Sequence, residues 1–430
     1  MTSVTERPDM SVEDHDASVS RSPLAGKRML VVEEALKSES GHWFEYVKSV
    51  IELNAAAGAA TVAVIHRDAQ PNVVAALDAC ALFPWTNWDN IYAHPKAWRR
   101  YLGIVQHNWR VFRLMRRFVA EHGPFDVVFA PTVVIHHIFG WRWLMASQGH
   151  RIGRIVLLFR NNAGSYEPGR REPLFKKSAK VLRRALRSFA PLIAQGRASF
   201  ATDSAKLALE YRLLCGIEPQ VFPSPRVAPP PPLETVARDP ATPVTFACLG
   251  PARFEKGIDV MQQAIRDFLA ATPQANARFI IQWNEPILDE AGALYEPDPA
   301  LLADPRVNLI RQAMTSAQYD AAVAATDCML LPYRRASYYA RISGVAVEAV
   351  TAGVPLIYTR DTWCEDLALE NGAGIGVDDG DVAGLVQAIA DMVRDFPQIS
   401  AQARQQALAA RDSHSGEVFI ARLWGLPVDG

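Results

Sequence analysis

The chain has 430 residues and a net charge of −1, with 49% hydrophobic and 21% charged residues. This balance is typical of a folded globular protein, and it excludes disordered, collagen-like and coiled-coil classes for the chain as a whole. The longest apolar runs, such as residues 155–159, are far shorter than the roughly 20 residues that cross a bilayer. The N-terminus also lacks the basic and apolar regions of a signal peptide, so the sequence predicts a cytoplasmic protein.

Residues 1–25 are predicted to be a disordered tail, and residues 26–222 are predicted to form a first α/β domain. Short apolar runs bounded by turn or polar residues predict buried strands, and they lie at 27–33, 60–67, 125–132 and 154–161. Helical patterns lie at 43–58, 104–120 and 174–189, and the stretches 190–195 and 220–222 complete this half. Because parallel strands need crossover connections, the alternation predicts a parallel sheet with helices on both faces.

The prolines of residues 223–243 predict an extended linker between two domains. The alternation then restarts, with predicted strands at 244–250, 277–283, 306–310, 328–333, 355–359 and 374–377 and predicted helices at 257–270, 316–325 and 344–352. A second α/β domain is therefore expected over 244–412, and the segment 413–430 is expected to return to the first domain. Two such sheets bind ligands at the C-terminal ends of their strands, so the cleft between the domains is the expected site.

Charge is divided unevenly between the two halves. Residues 26–222 contain 27 basic and 15 acidic residues, a net charge of +12, whereas residues 241–430 contain 14 and 24, a net charge of −10. Much of the positive charge lies on one face of the helices predicted at 104–120 and 174–189, opposite an apolar face. Such a face is usually only solvated, but it also suits the anionic inner surface of a membrane. No zinc-finger, RNP-type or helix-turn-helix signature accompanies it, so nucleic acid is not an expected partner.

A candidate phosphate site follows the first strand of the second half. Gly250 is followed by Arg253 and Lys256, just before a predicted helix. An arginine binds phosphate oxygens with two parallel hydrogen bonds, and a lysine adds a mobile point charge. The pattern favours a diphosphate clamp, and two solvated loop cations are the alternative.

A second candidate element begins at Ser343 and Gly344, at the predicted start of a helix. The N-terminus of a helix offers unpaired backbone N–H groups and a partial positive charge, which suit a phosphate group. Glu348 lies in the otherwise apolar run AVEAV of this helix, where an unpaired carboxylate would be costly to bury. We expect Glu348 to accept hydrogen bonds from ribose hydroxyls, with a structural ion pair as the alternative.

Three segments carry a resemblance to a known family. EKGIDV at 255–260, LLPY at 330–333 and SGVAVEAVTAGVPLI at 343–357 resemble the retaining, nucleotide-sugar-dependent GT-B glycosyltransferases of family 4. Residues 41–67 are also similar to the family's glycine-containing loop, helix and second strand. The resemblance implies two Rossmann-like domains that face each other across a cleft. It further implies transfer of a hexose-type sugar from a nucleoside diphosphate sugar to a polysaccharide, glycolipid or small-glycoside hydroxyl, without a metal or other cofactor.

The resemblance also implies roles for individual residues. The donor would be bound by Gly250, Arg253, Lys256, Ser343, Gly344, Val345 and Glu348. Catalysis would depend on Arg253, Lys256 and His42. Ala340 departs from the pattern, because the family usually has a carboxylate there that contacts the donor sugar. Candidates to replace that carboxylate are Arg335, Tyr338, Tyr339 and Arg341.

The first half is expected to bind the acceptor. Gly41 and His42 follow the first strand, in the position of the family's first glycine-rich loop, and His136 follows the strand at 125–132. Arg160 and Asn161 end the strand at 154–161 and are expected to bind sugar hydroxyls.

Two other functions remain open at this stage. A nucleotide-sugar epimerase has the same fold, and a non-catalytic nucleotide-sugar-binding protein would be consistent with Ala340. Other classes are disfavoured, because no G-x-S-x-G or P-loop element is present and the five cysteines form no C-x-x-C pair.

Overall fold

The structure is a computed structural model that describes residues 22–39, 42–86, 96–134, 137–167, 169–177, 179–225, 233, 239, 241–284, 286–288 and 292–427. These residues form two parallel sheets, each between two layers of helices. Within this part of the chain, no helix combines the length and the hydropathy needed to cross a bilayer.

The first sheet is built from seven parallel strands. They are β1 (Arg28–Glu33), β2 (Ala60–His66), β3 (Ala79–Phe83), β4 (Phe125–Ala130), β5 (Ile152–Phe159), β6 (Ala198–Thr202) and β7 (Gln220–Val221). Their order is β3-β2-β1-β4-β5-β6-β7. The order reverses between β1 and β4, which opens a crevice at the C-terminal ends of these two strands.

Two helical layers cover this sheet because its strand residues alternate between two cores. The helices are α1 (His42–Ala56), α2 (Pro71–Leu77), α3 (Ala97–His122), α4 (Ile138–Gln148), α5 (Ala179–Arg187), α6 (Ala190–Ala194) and α7 (Ala205–Cys215). Leu30 and Val32 of β1 face a core shared with α3, α4, α5 and α7, whereas Met29 and Val31 face a core shared with α1 and α2. The helices α3, α4 and α5 therefore lie on the same side of the sheet.

The second sheet contains six parallel strands in the order β12-β9-β8-β13-β14-β15, with a short antiparallel hairpin of β10 and β11 beside it. The strands are β8 (Val244–Cys248), β9 (Ala277–Gln282), β10 (Ile287–Leu288), β11 (Leu294–Tyr295), β12 (Val307–Ile310), β13 (Cys328–Leu331), β14 (Leu356–Thr359) and β15 (Gly374–Val377). The helices are α8 (Ile258–Ala271), α9 (Pro299–Ala303), α10 (Ser316–Ala324), α11 (Arg335–Tyr338), α12 (Gly344–Thr351), α13 (Trp363–Asn371) and α14 (Val382–Ser413). One core lies under α8 and α14, and the other under α12 and α13.

The last helix, α15 (Gly416–Trp424), packs on the first domain. Phe419 is fully buried and meets the ring of Phe222 edge-on, with 5.8 Å between ring centroids. The indole Nε1 of Trp424 donates a hydrogen bond of 2.7 Å to Asn54 Oδ1. The chain therefore passes between the domains twice.

The first domain differs from the sequence-based expectation in its helices and tail. The helix predicted at 174–189 is wrong in its first part, because Leu174 forms a backbone bridge with Ser165 and α5 begins only at Ala179. The stretch 190–195 is mainly helical, and β3 and β6 were not predicted. Residues 22–25, which we assigned to the tail, form part of a turn in which Leu24 is buried. Most of the predicted linker, like residues 1–21, lies outside the described residues.

We expect Phe419→Ala to lower the free energy of unfolding of the first domain by about 3–5 kcal/mol, because a fully buried ring would leave a cavity. Urea unfolding monitored by circular dichroism measures this change. Leu408→Ala is the control, since Leu408 is 62% exposed on α14. Equal unfolding midpoints for the two variants would contradict a structural role of α15 in the first domain.

Candidate functional site

Gly250 allows the loop after β8 to fold against a lysine. Its φ of 81° lies in the left-handed region, and its N–H donates a hydrogen bond of 2.6 Å to Gln282 Oε1. A Cβ atom at Gly250 would lie only 2.7 Å from Lys256 Nζ. Any other residue would therefore displace the ammonium group from its position.

Lys256 carries a positive charge that is largely removed from water. Burial lowers the pKa of its ammonium group, and the nearby Arg253 and Arg341 lower it further. Among the described residues, no carboxylate lies within ion-pair distance of its Nζ. Lys256 is half-buried. A partly desolvated cation without an ion-pair partner is costly, so this position favours an anionic ligand.

The N-terminus of α12 meets Lys256 at the same place. A Cβ atom at Gly250 would lie 3.6 Å from Val345 Cγ2, and one at Gly344 would meet no atom within 4 Å. Ser343 caps the helix, since its Oγ accepts a hydrogen bond of 3.3 Å from Ala346 N. Open space therefore adjoins the first turn of α12, next to the lysine. The predicted donor residues Gly250, Lys256, Ser343, Gly344 and Val345 are brought together.

Two arginines border this position. Arg253 Nη1 lies 3.8 Å and Arg341 Nη1 3.5 Å from Glu255 Oε1. The side chain of Arg253 is 54% exposed, so it is held only loosely. Glu255 thus keeps two guanidinium groups beside the lysine without pairing with the lysine itself.

Glu348 lies one turn into α12. Its Oε2 accepts a hydrogen bond of 2.6 Å from the hydroxyl group of Tyr319 on α10. The carboxylate is thus oriented by a neutral partner, which is compatible with a ligand-binding role.

Ala340 is fully buried, and the loop around it packs against the first domain. Its carbonyl oxygen accepts a hydrogen bond of 2.5 Å from Ser204 Oγ. The neighbouring ring of Tyr339 packs on Tyr166, with 4.3 Å between centroids. A glutamate side chain at this position would therefore enter the contact between the domains.

Most of the residues considered as replacements for the missing carboxylate have structural partners. Arg335 is 8% exposed; it pairs with Asp361 Oδ2 at 2.6 Å and donates hydrogen bonds to the carbonyl groups of Glu167 and Arg170. Tyr338 is also buried. Arg341 keeps a partly exposed guanidinium group beside Glu255 and close to Lys256.

The opposite wall of the cleft carries a buried polar cluster. Glu33, Thr132, Arg160 and Asp203 lie at or just after the C-terminal ends of β1, β4, β5 and β6. Arg160 Nε donates a hydrogen bond of 3.1 Å to Asp203 Oδ2. Within the described residues, Arg160 Nη1 and Asp203 Oδ1 are buried without a hydrogen-bond partner, and Glu33 Oε2 and Thr132 Oγ1 have no partner other than each other. Buried polar groups are normally paired, so these atoms indicate a site for water or for a hydroxylated ligand.

Burial raises the pKa of Glu33 to about 7, although hydrogen bonding and the nearby Arg160 oppose the shift. Its carboxyl group therefore holds a proton through the weakly acidic range.

A second buried cluster joins Glu34, His107 and His137. His107 Nε2 lies 3.0 Å from both carboxylate oxygens of Glu34, and His137 Nδ1 lies 3.8 Å from Oε1. Burial alone would raise the pKa of Glu34, but hydrogen bonds from the two histidines lower it to about 2.

The side chains of Glu34, His107 and His137 are close enough to hold a metal ion. However, Val134 N–H donates a hydrogen bond to His137 Nε2, which leaves the proton on Nδ1 and no free lone pair facing Glu34. The cluster is therefore suited to hydrogen bonding rather than to metal ligation.

The remaining acceptor predictions are only partly covered by the structure. Gly41 and His136 lie outside the described residues, and His42 begins α1 without a described side chain. The carbonyl group of Asn161 accepts a hydrogen bond of 3.1 Å from the hydroxyl group of Tyr211, beside Arg160.

The sequence analysis missed three residues of the buried polar cluster, Glu33, Thr132 and Asp203. The first two end predicted strands, so the ends of β1 and β4 carried a usable signal, whereas β6 was not predicted at all.

Comparison with known proteins supports the resemblance in the second domain. Residues 243–395 match the family model described as glycosyl transferases group 1. No curated protein matches the sequence.

Solved structures resemble the whole chain at low identity. Sucrose-phosphate synthase from Thermosynechococcus elongatus is 14% identical, with a TM-score of 0.59 over 92% of this chain and 97% of that one. The Anabaena protein Alr3699/HepE in complex with UDP and glucose is 12% identical, with a TM-score of 0.61 over 92% and 98%. A candidate UDP-N-acetylglucosamine 2-epimerase from Listeria monocytogenes is 12% identical, with a TM-score of 0.53 over 90% and 94%. The chain has the GT-B fold, with two Rossmann-like domains.

Proposed function

We propose that the protein is a glycosyltransferase that moves a sugar from a nucleoside diphosphate sugar to an acceptor hydroxyl group. The observation that carries this proposal is the position of Lys256 against Gly250, beside the open N-terminus of α12. The match of residues 243–395 to glycosyl transferases group 1 supports it. Both features belong to the domain that would hold the donor.

The leaving group of this reaction is a diphosphate, which gains negative charge as the bond to the sugar breaks. Lys256 would hold this charge together with the N–H groups of Gly344 and Val345, while Arg253 and Arg341 approach from the rim. Fixed cations and backbone dipoles stabilise a developing charge without reorganisation. We therefore propose that transfer needs no metal ion.

The resemblance to family 4 adds the stereochemistry to the proposal. In a retaining mechanism of that type, the leaving phosphate takes the proton of the acceptor hydroxyl. Such a reaction requires no pair of carboxylates flanking the bond, unlike a glycosidase. Retention is therefore compatible with Ala340.

UDP-hexoses are the donors that we propose to test first, because HepE binds UDP and glucose in a similar fold. Glu348 is the proposed ligand of the ribose hydroxyls.

The acceptor would lie against the buried polar cluster of the first domain. The cluster includes an acceptor on Asp203, a donor on Arg160 and the carboxyl group of Glu33, which donates when protonated. Hydroxyl groups of a polysaccharide, glycolipid or small glycoside can pair with both donors and acceptors. We also retain Gly41, His42, His136 and Asn161 as proposed acceptor ligands. A role in polysaccharide synthesis on the cytoplasmic side of a membrane is part of this proposal.

A non-catalytic nucleotide-sugar-binding protein is the second candidate. It is favoured by Ala340, which replaces the carboxylate that usually contacts the donor sugar in the family. Ala340 is buried, and its carbonyl group accepts a hydrogen bond from Ser204. Nucleotide binding without product from any acceptor would support it. Conversion of a UDP-sugar to its epimer without an acceptor would instead identify an epimerase.

We expect Lys256→Met to raise the dissociation constant of UDP about 10- to 100-fold, because a hydrogen bond to a charged group contributes about 1.5–3 kcal/mol. Sugar transfer should fall by orders of magnitude. The unfolding temperature without ligand should not fall, since the variant removes a partly desolvated charge that forms no ion pair with the described residues. Calorimetry, a product assay and thermal unfolding measure these three quantities.

Lys180→Met, on α5 of the other domain, is the matched control and should behave like the wild type. Wild-type UDP affinity in Lys256→Met would refute the diphosphate assignment.

We expect chelation of divalent ions to leave UDP affinity within about twofold of its value with Mg²⁺, because protein cations supply the counter-charge. Calorimetric titrations in EDTA and in MgCl₂ make the comparison. Binding that is seen only with Mg²⁺ would contradict metal independence.

We expect Glu33→Gln to remove a pH dependence of stability. Between pH 4.5 and about 7 the native carboxyl group stays protonated while the unfolded one ionises, so stability falls as pH rises through this range and levels off above it. The unfolding temperature of the variant relative to the wild type should therefore increase from pH 5 to pH 8. Glu121→Gln, in an exposed ion pair, should show no such trend. A parallel response of all three proteins would show that Glu33 titrates normally.

A further inference from the structure

The first half of α3 presents an exposed aromatic and aliphatic stripe. Trp98, Leu102, Val105 and Trp109 recur at helical spacing on one side of the helix, and each is between 48% and 59% exposed. Tyr101, at 57%, lies beside them. Val105 and Trp109 belong to the apolar face that the sequence predicted for 104–120, and they are exposed because only the later turns of α3 reach the core.

Two further exposed tryptophans extend this surface. Trp143 on α4 meets Trp109 edge-on, with 6.3 Å between ring centroids. Trp85 is stacked under the guanidinium group of Arg110, 3.9 Å from its ring centroid. Large apolar patches on a folded protein mark interaction surfaces.

The charge around the stripe has one sign. Residues 97–120 contain six arginines and no acidic residue. Arg113 and Arg116 are exposed one to two turns beyond Trp109, and α5 adds Lys180 and Arg184 on the same side of the sheet.

We propose that this surface, formed by the first half of α3 with Trp85 and Trp143, docks onto an anionic lipid membrane. The aromatic rings enter the interfacial region, where tryptophan and tyrosine are favoured, and the arginines bind head-group phosphates. The helix lies on the membrane rather than crossing it. A second copy of the chain is a poorer occupant, because symmetric pairing would bring two sets of arginines together.

Docking in this way brings the cleft close to the lipid. His107, which is hydrogen-bonded to Glu34 just beyond the C-terminal end of β1, lies on the buried side of α3, opposite Trp109. One helix diameter, roughly 10–12 Å, therefore separates it from the docking surface. The inference concerns the surface alone and does not depend on the proposed transferase activity.

The test is sedimentation of the full chain with vesicles of phosphatidylcholine alone or with one quarter phosphatidylglycerol, without nucleotide. We expect binding only to the anionic vesicles. Trp98→Ala/Trp109→Ala should weaken the partition about tenfold or more, since binding scales with buried apolar area. Arg113→Gln/Arg116→Gln should weaken it about fivefold for each arginine removed. Brominated lipids should quench the tryptophan fluorescence of the wild type.

Matched controls come from the second domain. Leu369→Ala/Leu408→Ala removes two exposed apolar side chains, and Arg360→Gln/Arg394→Gln removes two exposed arginines. Both should bind like the wild type, and circular dichroism checks the fold of every variant. Equal binding to neutral and anionic vesicles would overturn the proposal, and so would a tryptophan variant that binds anionic vesicles as well as the wild type does. So would a dimer in solution that the tryptophan variant abolishes, or RNA binding in place of vesicle binding. UDP binding, measured separately, reports on the proposed function.

Discussion

The half-buried ammonium group of Lys256, with which no described carboxylate forms an ion pair, is the feature on which the functional interpretation depends. Lys256 can occupy its position only because Gly250 has no side chain and a left-handed backbone. The same glycine lies against Val345, so one residue sets the distance between the ammonium group and the first turn of α12. An anion bound here would offset the unfavourable desolvation of the lysine. The ammonium group is already in position before such a ligand binds.

The contact between the domains shows how the missing carboxylate is accommodated. The loop that carries Ala340 is part of the packed core of the first domain, and Ser204 binds its backbone. Arg335 reinforces the contact through two carbonyl groups of the facing segment. A small residue at position 340 lets the domains meet closely, and Arg341, beside Glu255, lies close enough to Asp203 on the opposite wall to interact with its charge.

The positions of Gly250, Lys256 and Gly344 after a strand and at a helix start were predicted, because their spacing relative to strands and helix starts is local information. The strands β1, β2, β4 and β5 and all six strands of the second sheet were predicted for the same reason. The helix predicted over 174–189 was wrong at its start, since a backbone bridge between Ser165 and Leu174 overrides the local helix propensity. The cluster of Glu33, Thr132 and Asp203 depends on which strands are neighbours, and the exposure of Trp98 and Trp109 depends on where the sheet ends beneath α3. Neither property is encoded in the residues' immediate neighbours.

Because α15 is anchored in the first domain by Phe419 and Trp424, the second domain is tethered at both of its chain ends. A domain joined to its neighbour by one chain segment can rotate in any direction. A domain joined by two segments is limited to rotation about the line between the two connections. Any movement of the second domain relative to the first would then follow one reproducible arc.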